Sequence, residues 1–169
     1  MRRALTLFAT LLLLWTVVGQ ANHALTGWRV YLFVGGLFVA FAALTQPHGP
    51  GLAAALMGGL LCDATTAVTF GTHTLLFAAA HVVIFHIRDR VPREDTIARV
   101  LVVLLTNLAL FLIFSFSQVH DSPAPAAVWP RLIADLACSQ IFLAVITPWF
   151  FALQAKTMAL AGPGNASAA

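Results

Sequence analysis

Apolar residues in this chain come in long blocks separated by short polar or turn-forming segments, and they do not alternate with polar ones. The blocks cover residues 4–19, 30–45, 51–68, 73–87, 100–117 and 132–153. A helix needs about 20 apolar residues to cross the hydrocarbon of a bilayer, within a range of roughly 17–25. The pattern therefore predicts an all-α membrane protein of six transmembrane helices, some with ends reaching into the flanking polar residues. Gln46-Pro47-His48-Gly49-Pro50 reads as a tight turn, because proline and glycine stop one helix and let the next begin. Ser122-Pro123-Ala124-Pro125 lies in the loop before the last block. Residues 161–169 are small and polar and are expected to form a flexible tail after a single six-helix domain at 1–160. The first block has a rival reading as a secretory signal, with Gly19-Gln20-Ala21 as the cleavage site. It is taken here as the first span.

Composition excludes an ordinary soluble domain. Of the 169 residues, 60% are apolar and 9% are charged, whereas soluble domains carry about 25% charged residues. The net charge of +3 comes from only nine basic residues, so no nucleic-acid surface is expected and lipid is the expected surrounding. Their distribution gives an orientation, because cytoplasmic loops carry the excess of lysine and arginine. With both ends inside, Arg2, Arg3, Arg88, Arg90, Arg93, Arg99 and Lys156 are cytoplasmic, and Arg29 and Arg131 lie outside. The loop carrying Arg88, Arg90 and Arg93 is the main cytoplasmic feature. Trp28, Trp129 and Trp149 fall near predicted helix ends, where an aromatic belt is expected. Cys62 and Cys138 sit in apolar blocks and read as small buried hydrophobes.

The polar residues inside the blocks are the candidates for function. Gly51, Ala55 and Gly59 recur every four residues and lead to Asp63, which puts them along one helix face. Small residues on one face let another helix approach closely, so this ridge is expected to pack against a neighbouring helix or a partner. Asp63 is costly in an apolar segment. A structural hydrogen-bonding role is expected of it, ahead of ligating a substrate, relaying a proton, capping the next helix or simply reaching water at the interface, because nothing nearby supplies an acid–base partner. Gly71 suits a turn with positive φ, and Thr72 is placed to cap the helix that follows. His73 and His81 share a face but lack a neighbouring carboxylate in the sequence, so ordinary polar contacts are expected of them. Asn107 and Asp135 are expected to make hydrogen bonds across helices, and Asp135 to pair with Arg131 one turn away. There is no phosphate loop, nucleophile elbow or zinc-binding HExxH pattern. No catalytic residue, cofactor or metal is expected.

Gly59-Leu60-Leu61-Cys62-Asp63 followed by Gly71-Thr72-His73-Thr74-Leu75 resembles the signature of the rod shape-determining MreD family. Pro47 or Pro50 before the motif helix, the basic loop at 88–93 and Pro148-Trp149-Phe150 near the end fit the same pattern. The chain departs from it at Ala67 and Ala55, where glycine is common, and in a basic tail reduced to Lys156. The resemblance implies a multi-pass protein of the bacterial inner membrane. It implies a non-catalytic scaffold of the elongation machinery that supports rod shape and lateral peptidoglycan synthesis. Its partners would be an MreC-like single-span protein, an MreB-like filament and peptidoglycan synthases. It also implies a fold like the substrate-binding subunit of energy-coupling-factor transporters, although fold alone does not carry function. A second reading is such a small-molecule transporter subunit, which needs polar groups converging on an outer cavity. Too few aromatic and polar residues are expected there. A membrane enzyme is the least favoured class.

Overall fold

The computed structural model describes residues 2–66, 69–92, 95–120 and 125–160, with side chains from residue 5 onward except at 118, 120, 125 and 160. Among these the chain is all helical. Six helices follow one another: α1 Arg2–Leu25, α2 Gly35–Thr45, α3 His48–Thr65, α4 Thr72–Ile87, α5 Thr96–His120 and α6 Pro125–Leu160. Short 3-10 turns at Thr26–Trp28 and Arg88–Arg90 follow α1 and α4. The tail at 161–169 and Arg93 lie outside the described residues.

Three helical stretches are long and apolar enough to cross a membrane: Leu5–Trp28, Thr96–Ser117 and Ala126–Ala159. They indicate a membrane protein. Their surfaces agree with this. On α1 Leu7, Leu11 and Val18 are buried, while Leu5, Leu13 and Val17 on the other side are exposed. A helix that is apolar all round belongs in an apolar medium. α6 spans 36 residues, about 54 Å at 1.5 Å per residue, well beyond the roughly 30 Å of hydrocarbon.

α2 is the centre of the molecule. Every residue from Gly35 to Leu44 is buried, and α3, α4, α5 and α6 all lie against it. Phe41 meets Phe150 and Phe151 of α6 edge-on at 5.7 and 5.1 Å. Such pairs add about 0.5–1.5 kcal/mol beyond area burial.

The expected helix over 30–45 needs correction. Only its last eleven residues are helical, and residues 30–34 carry no regular structure. Val30 and Val34 are β-branched and Tyr31 and Phe33 aromatic, types that lose χ1 freedom in a helix. Fully stretched, five residues reach at most about 17 Å and the eleven of α2 add about 16 Å. The reach of the whole segment is therefore at most about 33 Å, with five of its sixteen residues non-helical.

Elsewhere the helices are longer than their apolar blocks. α1 continues through Gly19-Gln20-Ala21 to Leu25, and α5 and α6 extend past both ends of the expected spans. α3 begins and ends three residues earlier than the expected 51–68.

Candidate functional site

α3 and α4 run side by side because glycine removes bulk between them. A Cβ on Gly59 would lie 2.4 Å from Thr74 Cα, and one on Gly51 would lie 2.5 Å from His81 Cε1. Ala55 between them is fully buried. The ridge of Gly51, Ala55 and Gly59 is therefore a helix-packing face, as expected. Within the chain it is covered by α4, and at Gly51 by Ala42 of α2 as well.

Asp63 ends that ridge and caps α4. Its Oδ1 accepts the backbone N–H of His73 at 2.9 Å, and its Oδ2 accepts the backbone N–H of Thr74 at 3.1 Å. The side chains join in, with His73 Nδ1 at 2.9 Å and Thr74 Oγ1 at 2.6 Å. The first N–H groups of a helix have no partner inside it, and a carboxylate there also meets the positive end of the helix dipole. Gly71, at φ 96°, turns the chain into α4. Thr72 does not cap. Its hydroxyl donates back to the Thr69 carbonyl at 2.7 Å. The sequence offers neither Asp63 nor His73 a close partner, and the fold joins the two across ten residues. His81 lies two turns further along α4, with both ring nitrogens buried and without a hydrogen-bond partner, and its ring 5.7 Å from that of His48. Among the described residues no three histidine, cysteine or acidic side chains gather to hold a metal.

Leu60 and Leu75 point outward, so the motif has an inner polar half and an outer apolar half. Leu61 is partly exposed beside them.

Asn107 and Asp135 do make contacts across elements, and both are made to the backbone around α2. Asn107 Oδ1 accepts the Gly36 N–H at 3.1 Å. Asp135 Oδ1 accepts the Tyr31 N–H at 2.8 Å, and its Oδ2 lies 3.9 Å from Arg131 Nε. Two residues not singled out in the sequence complete the set. Asn22 on α1 takes the Leu32 N–H at 2.7 Å and donates to the Leu32 carbonyl at 3.0 Å. Ser139 on α6 takes the Phe33 N–H at 3.0 Å. Non-helical backbone at membrane depth is tolerated only where protein satisfies it. Here side chains of α1 and α6 take the N–H groups of Tyr31, Leu32 and Phe33, and Asn107 of α5 takes that of Gly36 at the start of α2.

Beside this segment is a cavity of about 470 Å³. Trp15, Phe33, Phe111 and Phe114 form its aromatic walls, with His73, Tyr31, Arg131 and Asp135 among its polar lining. The His73 ring stacks on Phe114 at 4.2 Å. The sparse outer cluster expected from the sequence is thus a real convergence of aromatic and polar groups, drawn from five parts of the chain.

At the opposite end the basic loop is partly pinned. Arg88 donates to the Gln46 carbonyl at 2.9 Å and lies 3.8 Å over the Phe85 ring. It closes the end of α2, while Arg90 stays exposed. A groove of about 360 Å³ between α4 and α5 is lined almost wholly by apolar side chains, with Ala79 and Ala109 exposed along it.

No protein-family model, curated protein or solved structure matches this chain.

Proposed function

We propose that this protein is a non-catalytic, MreD-like scaffold of the bacterial inner membrane. It would have six spans with both ends inside and would serve cell elongation by holding an MreC-like single-span partner. One observation carries the reading. Gly59, Asp63, Gly71 and His73, which carry the resemblance, form one mechanical unit in which each residue type has a reason. Gly59 permits close approach, Gly71 supplies the turn, and Asp63 with His73 locks the start of α4. The unit fixes α4 against α3 and so sets the shape of the α4–α5 groove. That groove, apolar with small residues along it, suits a single apolar helix, because small residues let helices approach in lipid.

The test is co-purification with MreC-like protein from cells of the source. Ala79→Trp with Ala109→Trp fills the groove from its exposed side and should abolish recovery of the partner at unchanged protein level. Undiminished recovery would remove the groove from the proposal. Recovery of an ATPase pair in its place would favour a substrate-binding subunit of a small-molecule transporter. That second reading draws on the broken second element beside the aromatic cavity, since interrupted membrane helices often mark binding sites.

A further inference from the structure

The end of the bundle where α3 passes into α4 holds two adjoining cavities of different chemistry. One, of about 400 Å³, is lined by Asn22, Thr26, Arg29, Tyr31 and Arg131 among others. The other is the aromatic cavity of about 470 Å³. Tyr31 and Arg131 line both, so the two meet there. Each is within the roughly 300–1,000 Å³ usual for ligand pockets.

The charged groups lining them are Arg29, Arg131 and Asp135. Asp135 is committed to the Tyr31 N–H and lies against Arg131. Arg29 is then a cation in excess. It also has a left-handed backbone, φ 56°, the one non-glycine residue so placed among those described. That conformation ends the 3-10 turn Thr26–Trp28, with the Arg29 N–H donating to the Thr26 carbonyl at 3.1 Å, and so fixes the backbone that carries the guanidinium. Deeper in, Asp63 holds His73 through Nδ1, which leaves Nε2 as the ring nitrogen for a ligand hydroxyl or amide.

We propose that the two cavities together bind an amphipathic organic anion. Its phosphate or carboxylate lies between Arg29 and Arg131, and its apolar body runs along Trp15, Phe33 and Phe114 toward His73. Two sources have this chemistry, the headgroup of an anionic lipid and a free organic acid from solution. The site goes beyond the scaffold proposal and does not depend on it. It shares its cavity with the transporter reading but requires no transport.

The test is native mass spectrometry of the full chain in detergent, titrated with four probes. Dioleoylphosphatidylglycerol is compared with dioleoylphosphatidylcholine, and 2-naphthoate with 2-naphthamide. Preferential binding of phosphatidylglycerol identifies a lipid, and preferential binding of 2-naphthoate identifies a free acid. In either case Arg29→Gln, which leaves the Arg131–Asp135 pair intact, should weaken binding about tenfold, the effect of losing one charge-assisted hydrogen bond. Arg90→Gln at the other end should change nothing. No preference for either anion over its neutral counterpart overturns the proposal, as does anion binding that Arg29→Gln leaves unaltered.

Discussion

Gly36 and Asn107 meet so closely that a Cβ on the glycine would lie 2.5 Å from both the backbone nitrogen and the Cα of the asparagine. The same contact carries a hydrogen bond from the Gly36 N–H to Asn107 Oδ1 at 3.1 Å. A polar anchor and a steric vacancy thus coincide at the first turn of α2. Backbone cannot yield as a flexible side chain can. Gly36→Ala should therefore destabilise the fold by about 1–3 kcal/mol, the usual cost of overpacking, seen as a lower thermal midpoint in detergent. Gly19→Ala on α1, where nothing lies within 4 Å, should leave the midpoint unchanged or raise it.

Asp63 satisfies two backbone donors of α4 that nothing else reaches. Asp63→Leu should cost about 2–5 kcal/mol, since each buried unpaired N–H carries a penalty of about 1–3 kcal/mol. His73→Phe keeps the backbone cap and the stack on Phe114, and should cost clearly less. Equal losses in thermal unfolding would mean that the imidazole–carboxylate hydrogen bond, not the backbone cap, holds the two helices.

Asn22 pairs with both the N–H and the carbonyl of Leu32. Asn22→Leu should expose residues 30–34 to hydrogen exchange while α5 keeps its protection. Exchange that is no faster than in the unaltered chain would show that packing alone holds this segment.

Arg88 and Arg90 are neighbours with different duties. Arg88→Gln loses the bond to Gln46 and the stack on Phe85 and should lower stability by about 1–2 kcal/mol. Arg90→Gln, on an exposed side chain, should stay within about 0.5 kcal/mol of the parent.

The helices were legible because apolar blocks and proline-glycine breaks are local signals. Gly71 announced its turn, the ridge before Asp63 announced a packing face, and helix capping was among the roles open to Asp63. What covers that ridge was not legible, since spacing along α3 says nothing of which helix lies opposite. The non-helical start of the second block was also hidden. Val30 to Val34 are apolar, and apolar residues fit a span whether coiled or not. The clue lay far away, in Asn22, Asn107, Asp135 and Ser139, whose common target only the fold reveals. The aromatic cavity was missed for the same reason: Trp15, Phe33 and Phe114 are about equally unremarkable when read one at a time.

The dependence of residues 30–34 on distant side chains has a consequence for how the chain is made. Their amides cannot rest in lipid without partners, because each bare group there costs several kcal/mol. Two of those partners, Asp135 and Ser139, follow them by 104 and 106 residues. At roughly 5–20 residues per second of synthesis that is a wait on the order of ten seconds. On the six-span arrangement proposed above, the second element to leave the ribosome is completed only with the arrival of the last, and until then would have to be sheltered by the insertion machinery or remain outside the bilayer.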